Sequence, residues 1–283
     1  MRERWKQAGL TCLTLLAVAI AVAAYMFVLS QAENQSAFIG HVGLVIVSLV
    51  AYLAAVKWIE RRAPAELSFR SALPAFGVGL LAGAAQFSLL MAILWIAGAY
   101  RAQGWNGFDG LALAFVFWLA VGVREEILYR GLLYRLFSRI IGTWGALFLS
   151  GAVFGATHMN APGWTVPGLL SVALAGVMFG AAYTATGRLW LPIGLHTAWN
   201  FVQSSVFGLN VSGNDMGSGA IAGTLKGPDY LTGGPFGPEA TIVTAIILLA
   251  TASYFMWRIA KLGRAEPPIW RGAKGTAAAT APA

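Results

Sequence analysis

The chain has 283 residues, of which 58% are hydrophobic and only 11% are charged, and its formal net charge is +8. Soluble domains contain about 25% charged residues, so this composition excludes an ordinary soluble protein and predicts a multi-pass membrane protein. An excess of Lys and Arg is typical of cytoplasmic loops in such proteins, and it does not indicate nucleic-acid binding here. The single cysteine, Cys12, excludes an intramolecular disulfide.

The apolar run after the basic N-terminus is about 20 residues long, enough to span and longer than the core of a signal peptide. We therefore predict an uncleaved first span. In chain order, eight segments are long enough to cross a hydrocarbon core about 30 Å thick: 8–29, 37–56, 76–99, 111–137, 143–159, 165–185, 189–209 and 240–260. The fifth and sixth are short and could be tilted or only dip into the membrane. The predicted fold is an all-α bundle of about eight transmembrane helices.

Basic residues are distributed unequally between the two sides of this predicted bundle. With the N-terminus inside, the outer loops hold only Arg101 and Lys226, whereas fifteen Lys and Arg residues fall on inner segments and the two ends of the chain. This asymmetry predicts cytoplasmic N- and C-termini in a cell-membrane protein.

Composition also divides the chain into five parts. We expect N-terminal transmembrane helices (1–105), a core that carries polar residues within apolar segments (106–209), an irregular outer loop (210–239), a last transmembrane helix (240–262) and a disordered cytoplasmic tail (263–283). Three GxxxG spacings, at Gly79/Gly83, Gly151/Gly155 and Gly176/Gly180, would allow helices to approach closely in lipid.

Two adjacent carboxylates, Glu125 and Glu126, lie within the fourth apolar segment. An ionisable residue inside a span costs about 2.5–3.5 kcal/mol and usually faces a partner or a cavity. Glu126 precedes Arg130 by four residues, the favoured spacing for a helical ion pair, whereas Glu125 has no cation three or four residues later. We therefore expect Arg130 to neutralise Glu126, which leaves Glu125 to act in a hydrophilic cavity.

Two histidines and an asparagine also fall within predicted spans. His158 follows Phe154 by four residues, and His196 precedes Asn200 by four residues, so each pair shares a helical face. Their burial together with Glu125 has a rationale if they line one cavity. The motifs of intramembrane serine and aspartyl proteases and the HExxH zinc motif do not occur in the sequence.

The order EExxxR, FxxxH and HxxxN resembles the CAAX protease and bacteriocin-processing (CPBP, or Abi) family of intramembrane endopeptidases. The resemblance covers residues 110–205 and is carried by Glu125-Glu126…Arg130, Phe154…His158 and His196…Asn200. It implies that Glu125, His158, His196 and Asn200 are catalytic, with Glu125 activating a water for attack on a peptide carbonyl. Glu126, Arg130 and Phe154 would then be supporting residues.

The resemblance leaves the cofactor open between none and one divalent metal. Glu125, His158 and His196 could hold zinc and leave a fourth position for water. Without metal, the histidines and Asn200 could instead donate hydrogen bonds to the oxyanion.

The implied partners are a peptide or protein substrate, lipidated in some relatives, and the lipid bilayer. The alternative function is a non-catalytic membrane protein, such as a transporter, immunity factor or scaffold, which retains the same buried polar cavity.

Overall fold

The computed structural model describes residues 1–31, 36–217 and 219–271. Within these residues, five helices are long and apolar enough to cross a membrane: α1 (Arg2–Ser30), α2 (Ala37–Trp58), α3 (Ala72–Ile96), α6 (Val166–Thr186) and α9 (Ile242–Lys261). The chain is therefore an integral membrane protein built mainly of α-helices, but the expected count of eight spans is not confirmed.

The remaining predicted spans form shorter or interrupted helices. The fourth and fifth merge into one long helical segment made of α4 (Leu111–Glu125), a π-helix (Glu126–Tyr134) and α5 (Arg135–Ala156). Gly142 interrupts α5 with a φ of 77°, where an added Cβ would lie 2.8 Å from the carbonyl oxygen of Glu266. The seventh consists of α7 (Trp190–Phe201) followed by a short π-helix (Val202–Val206).

The predicted GxxxG glycines lie where helices approach most closely. A Cβ added at Gly79 or Gly83 would lie 2.3 or 2.4 Å from carbonyl oxygens of α7, and one added at Gly151 would lie 2.7 Å from a carbonyl oxygen of α6. Only glycine leaves room for such close backbone contacts. In lipid, helices associate through van der Waals packing of this kind, because no hydrophobic effect drives them together. These contacts place α7 against α3, and α6 against α5.

A two-stranded antiparallel sheet departs from the all-α expectation. Strand β1 (Tyr100–Trp105) follows α3 and pairs with β2 (Ile221–Leu225), which lies in the segment predicted to be an irregular outer loop. That segment also contains the short helix α8 (Asp229–Thr232) and 3₁₀ turns at Gly234–Phe236 and Pro238–Ala240. Because the two strands are about 115 residues apart in sequence, local patterns could not predict their pairing.

An ion-pair cluster lies at the opposite end of α3 from the sheet. Arg62 binds Glu60 at 2.8 Å and Glu66 at 2.6 Å, and the buried Arg135 also pairs with both carboxylates. Burial raises the pKa of Glu66, but hydrogen bonds from Arg62 and the charges of Arg135 and Arg62 outweigh it and lower the pKa to about 2. The cluster thus ties the linker between α2 and α3 to the beginning of α5.

The beginning of α1 and the segment after α9 meet near this cluster. The Arg4 side chain donates to the carbonyl oxygen of Pro267 at 2.7 Å, and Arg264 donates to the carbonyl oxygen of Ala185. The C-terminal segment therefore makes specific contacts as far as it is described, which differs from the disorder expected for residues 263–271. Residues 272–283 of the expected tail lie outside the described residues.

Reporter fusions after Lys6, within residues 212–236 and after Lys274 test the orientation. We expect the first and last reporters on the cytoplasmic side and the middle one outside, because the basic residues are concentrated at the end of the molecule where α1 begins and α9 ends. A C-terminal reporter on the outer side would contradict this topology.

Candidate active site

A fully buried ion pair forms the centre of the site. Nη1 of Arg130 donates to Oε1 of Glu126 at 2.8 Å, and the two side chains are 2% and 0% exposed. The pair predicted from the four-residue spacing is therefore present, although both residues lie in the π-helix that follows α4. Isolated π-helical turns are frequent at functional sites because they redirect side chains within a continuous helix.

Aromatic rings and a backbone oxygen surround the guanidinium of Arg130. Its Cζ lies 4.4 Å from the ring centroid of Phe154 and 4.9 Å from that of Phe179, and Nη2 donates to the carbonyl oxygen of Gly176 at 3.3 Å. Cation–π contacts of this kind are stronger when water is excluded. Phe154, expected to be a supporting residue, thus packs directly on Arg130.

His196 connects the buried pair to the second carboxylate. Its Nδ1 lies 2.9 Å from Oε1 of Glu126, and its ring stacks on Phe179 with a centroid distance of 4.9 Å. Because a carboxylate oxygen accepts, we place a proton on Nδ1 and direct Nε2 away from Glu126. That Nε2 lies 3.9 Å from Oε2 of Glu125.

Glu125 is more accessible than its neighbour, with a side chain that is 16% exposed. Its Oε1 accepts a hydrogen bond from Nη2 of Arg124 at 2.6 Å. The helical spacing of three or four residues could not predict this contact, because Arg124 is the adjacent residue. The expectation of an unpaired Glu125 was therefore incomplete. Oε2 faces His196 at a distance longer than a direct hydrogen bond, which leaves this oxygen available to a bridging water.

His158 lies in the turn after α5, and Asn200 lies on α7 one helical turn after His196. Nδ1 of His158 is 2.9 Å from the carbonyl oxygen of Phe154. A carbonyl only accepts hydrogen bonds, so the proton belongs to Nδ1 and Nε2 is left for other contacts.

A cavity of about 390 Å³ brings the four residues together: its lining includes Glu125, His158, His196 and Asn200. Glu126 and Arg130 are not among the lining residues and remain sealed behind His196. The structure therefore separates the two adjacent carboxylates, with one on the cavity wall and the other within the protein interior.

Another part of the cavity wall was not predicted from the sequence and is formed by Val211, Ser212, Asn214, Asp215, Met216 and Glu239. Oε2 of Glu239 accepts hydrogen bonds from the backbone N–H and the hydroxyl of Ser212, the latter at 2.9 Å. Burial raises the pKa of Glu239, although the hydrogen bonds from Ser212 act in the opposite direction. No motif marks this residue, because it lies in a segment whose composition resembles a simple surface loop.

The donor set does not fit a metal ion. Across the part of the chain that the structure describes, no three or more His, Cys, Asp or Glu side chains are grouped so that they could hold one. This applies to the Glu125, His158 and His196 set considered above, and we derive no step through a metal.

Residues 107–202 match the family model described as type II CAAX prenyl endopeptidase Rce1-like. This match confirms the resemblance inferred from the EExxxR, FxxxH and HxxxN motifs, all of which it contains. No curated protein and no solved structure matches the chain.

Stability measurements can separate the two carboxylates. We expect Glu126→Gln and Arg130→Ala to destabilise the detergent-solubilised protein by about 3–5 kcal/mol, because each leaves a buried partner unpaired. Glu125→Gln should have a much smaller effect, since its side chain borders the cavity. Thermal unfolding followed by tryptophan fluorescence provides the comparison, and equal destabilisation in all three variants would contradict this division.

Proposed function

We propose that this protein is an intramembrane endopeptidase of the CAAX protease type, in which Glu125 activates a water for attack on a peptide carbonyl. The observation that carries the proposal is the convergence of Glu125, His158, His196 and Asn200 on one cavity. Glu125 lies at the end of α4, His158 in the turn after α5, and His196 and Asn200 on α7, and the family match covers all four residues.

Glu125 is the proposed general base. Its Oε2 borders the cavity and faces Nε2 of His196 across 3.9 Å, a separation at which a water can contact both groups. Proton transfer from this water to Oε2 would accompany formation of the new C–O bond, while the π electrons of the carbonyl move to the oxyanion. When the C–N bond then breaks, Oε2 would return this proton to the leaving amine. Arg124, paired with Oε1, holds the carboxylate in position and leaves Oε2 for the water.

His158 and Asn200 are the proposed stabilisers of the oxyanion. Both line the same cavity as Glu125, and the side-chain amide of Asn200 can donate a hydrogen bond without a change in protonation. Groups fixed in advance at the position of developing charge lower the barrier, because they need not reorient during the reaction.

Glu126 and Arg130 act through His196 and do not contact the substrate. The carboxylate of Glu126 bonds Nδ1 of His196 and fixes the imidazole, while Arg130 neutralises that carboxylate. A buried carboxylate that accepts a hydrogen bond from one ring nitrogen, as that of Glu126 does, sets both the tautomer and the orientation of a histidine.

The first test of this mechanism is Glu125→Gln, which preserves shape and removes the proton acceptor. We expect a rate of peptide cleavage in proteoliposomes lower by about 10²–10⁴-fold, with the protein still folded. His158→Ala and His196→Ala should impair turnover comparably. Wild-type protein that is folded but cleaves none of a broad peptide library would favour the non-catalytic alternative.

Metal analysis provides a second test. We propose that catalysis is metal-free, because the acidic and histidine side chains do not group as a metal site requires. Purified active protein should therefore contain far less than one zinc per chain and should keep its activity after chelation. Stoichiometric zinc that is lost in His158→Ala, with activity restored by added metal, would overturn the metal-free mechanism and leave the peptidase assignment intact.

A further inference from the structure

Among the residues that the structure describes, buried glutamates are paired with arginines, with one exception. Glu60 and Glu66 pair with Arg62 and Arg135, and Glu126 pairs with Arg130. Glu239 is also buried, at 9% exposure, yet within residues 1–31, 36–217 and 219–271 it forms no ion pair with Lys, Arg or His. A buried carboxylate ordinarily requires a cation or several donors. Glu239 has donors from Ser212 and Gln203 and faces the more distant His158, but no cation lies within ion-pair distance of it among the described residues.

The position of Glu239 is fixed by the loop that faces it. Ser212, which adopts a φ of 47°, directs its N–H and hydroxyl towards the same carboxylate oxygen, and the N–H of the adjacent Gly213 donates to the carbonyl oxygen of Phe236 at 2.9 Å. The carboxylate therefore stays at the cavity wall and is not a mobile surface group.

The cavity wall carries three carboxylates, from Glu125, Asp215 and Glu239, and the described lining contains no Lys or Arg. Asp215 is exposed at the loop side, whereas Glu239 lies deeper. The hydroxyl of Ser171, a lining residue that is 5% exposed, has no hydrogen-bond partner within the described structure. Carboxylates without an ion-pair partner and an unused hydroxyl on the wall of one cavity are groups that a cationic donor supplied by a ligand can satisfy.

We propose that Glu239 is a specificity-determining residue, and that the part of the cavity formed by Glu239, Asp215 and Ser171 binds a Lys or Arg side chain of the substrate peptide. This inference rests on the proposed peptidase function and specifies its substrate class. A peptide with a basic residue beside the bond to be cleaved gains the missing ion pair. A peptide with Asp or Glu, or a free C-terminal carboxylate, at the same place meets like charge and is disfavoured.

Photo-crosslinking measures this preference without requiring turnover. The full-length Glu125→Gln variant in nanodiscs is incubated with octapeptides that carry one benzophenone amino acid and, at each other position in turn, Lys, Gln or Glu. We expect Lys peptides to crosslink about tenfold more strongly than Glu peptides at one position, the size of one favourable charge contact. Equal crosslinking of Lys and Glu peptides at every position would overturn the proposal.

Added substitutions in the same background identify the residue responsible. Glu239→Gln keeps an acceptor for Ser212 but removes the charge, and should reduce the Lys-to-Glu ratio to within about twofold. Asp229→Asn, which removes an exposed acid of the same segment that does not line this cavity, should leave the ratio unchanged. An unchanged ratio in Glu239→Gln, or equal weakening of all peptides, would show a purely structural role and contradict the proposal.

Asp215→Asn provides a second measurement of the Lys-to-Glu crosslinking ratio. Substitution at this exposed position carries little risk to folding, and we expect it to lower the ratio partially. An unchanged ratio here would remove Asp215 from the subsite. Cleavage by the wild-type protein is recorded with the same peptides. Preferential binding of Lys peptides without any cleavage would contradict the proposed peptidase function and support the charge preference. Cleavage without a preference for Lys peptides would support the peptidase function and contradict the charge preference.

Discussion

The buried contact between Glu126 and Arg130 is the interaction on which the site depends. Two full charges removed from water are tolerated only if each has close partners, and here the carboxylate also bonds His196 while the guanidinium is enclosed by Phe154, Phe179 and a backbone oxygen. The segments that supply these partners cannot move apart without exposing an unpaired charge. Because Nδ1 of His196 is bonded to this buried pair, its Nε2 is directed towards Glu125 at the cavity.

Close backbone packing makes that constraint possible. Gly176 of α6 offers its carbonyl oxygen to Arg130, and an added Cβ at Gly176 would lie 2.7 Å from the Cα of Gly151 on α5. Larger residues at either position would separate the two helices and weaken the packing of aromatic rings against the guanidinium. The small residues therefore have a chemical consequence in addition to their usual role in helix association.

The cavity combines two parts of the chain that differ in their relation to known proteins. The residues proposed to carry out the chemistry lie within the segment 107–202 that matches the CAAX prenyl endopeptidase model, whereas Ser212, Asp215 and Glu239 lie outside it. Under the proposed function, a division of this kind would allow a common hydrolytic centre to act on different peptides, because the loop residues can change without disturbing the buried ion pair.

The sequence by itself determined the membrane class, the helical character and the Glu126–Arg130 pair, and it predicted four of the residues that line the cavity. These features depend on composition or on spacings of three and four residues, which helical geometry converts directly into contacts. Tertiary structure alone decided the merging of α4 and α5 through a π-helix, the pairing of β1 with β2, the contact of Arg124 with Glu125 and the position of Glu239 on the cavity wall. The strand pairing and the position of Glu239 depend on segments that are distant in sequence, and the merging of α4 and α5 depends on a local departure from regular helix, so none of these leaves a periodic pattern in the residues. The contact of Arg124 with Glu125 joins neighbouring residues, which regular helix geometry does not place face to face, so only the side-chain conformations decide it.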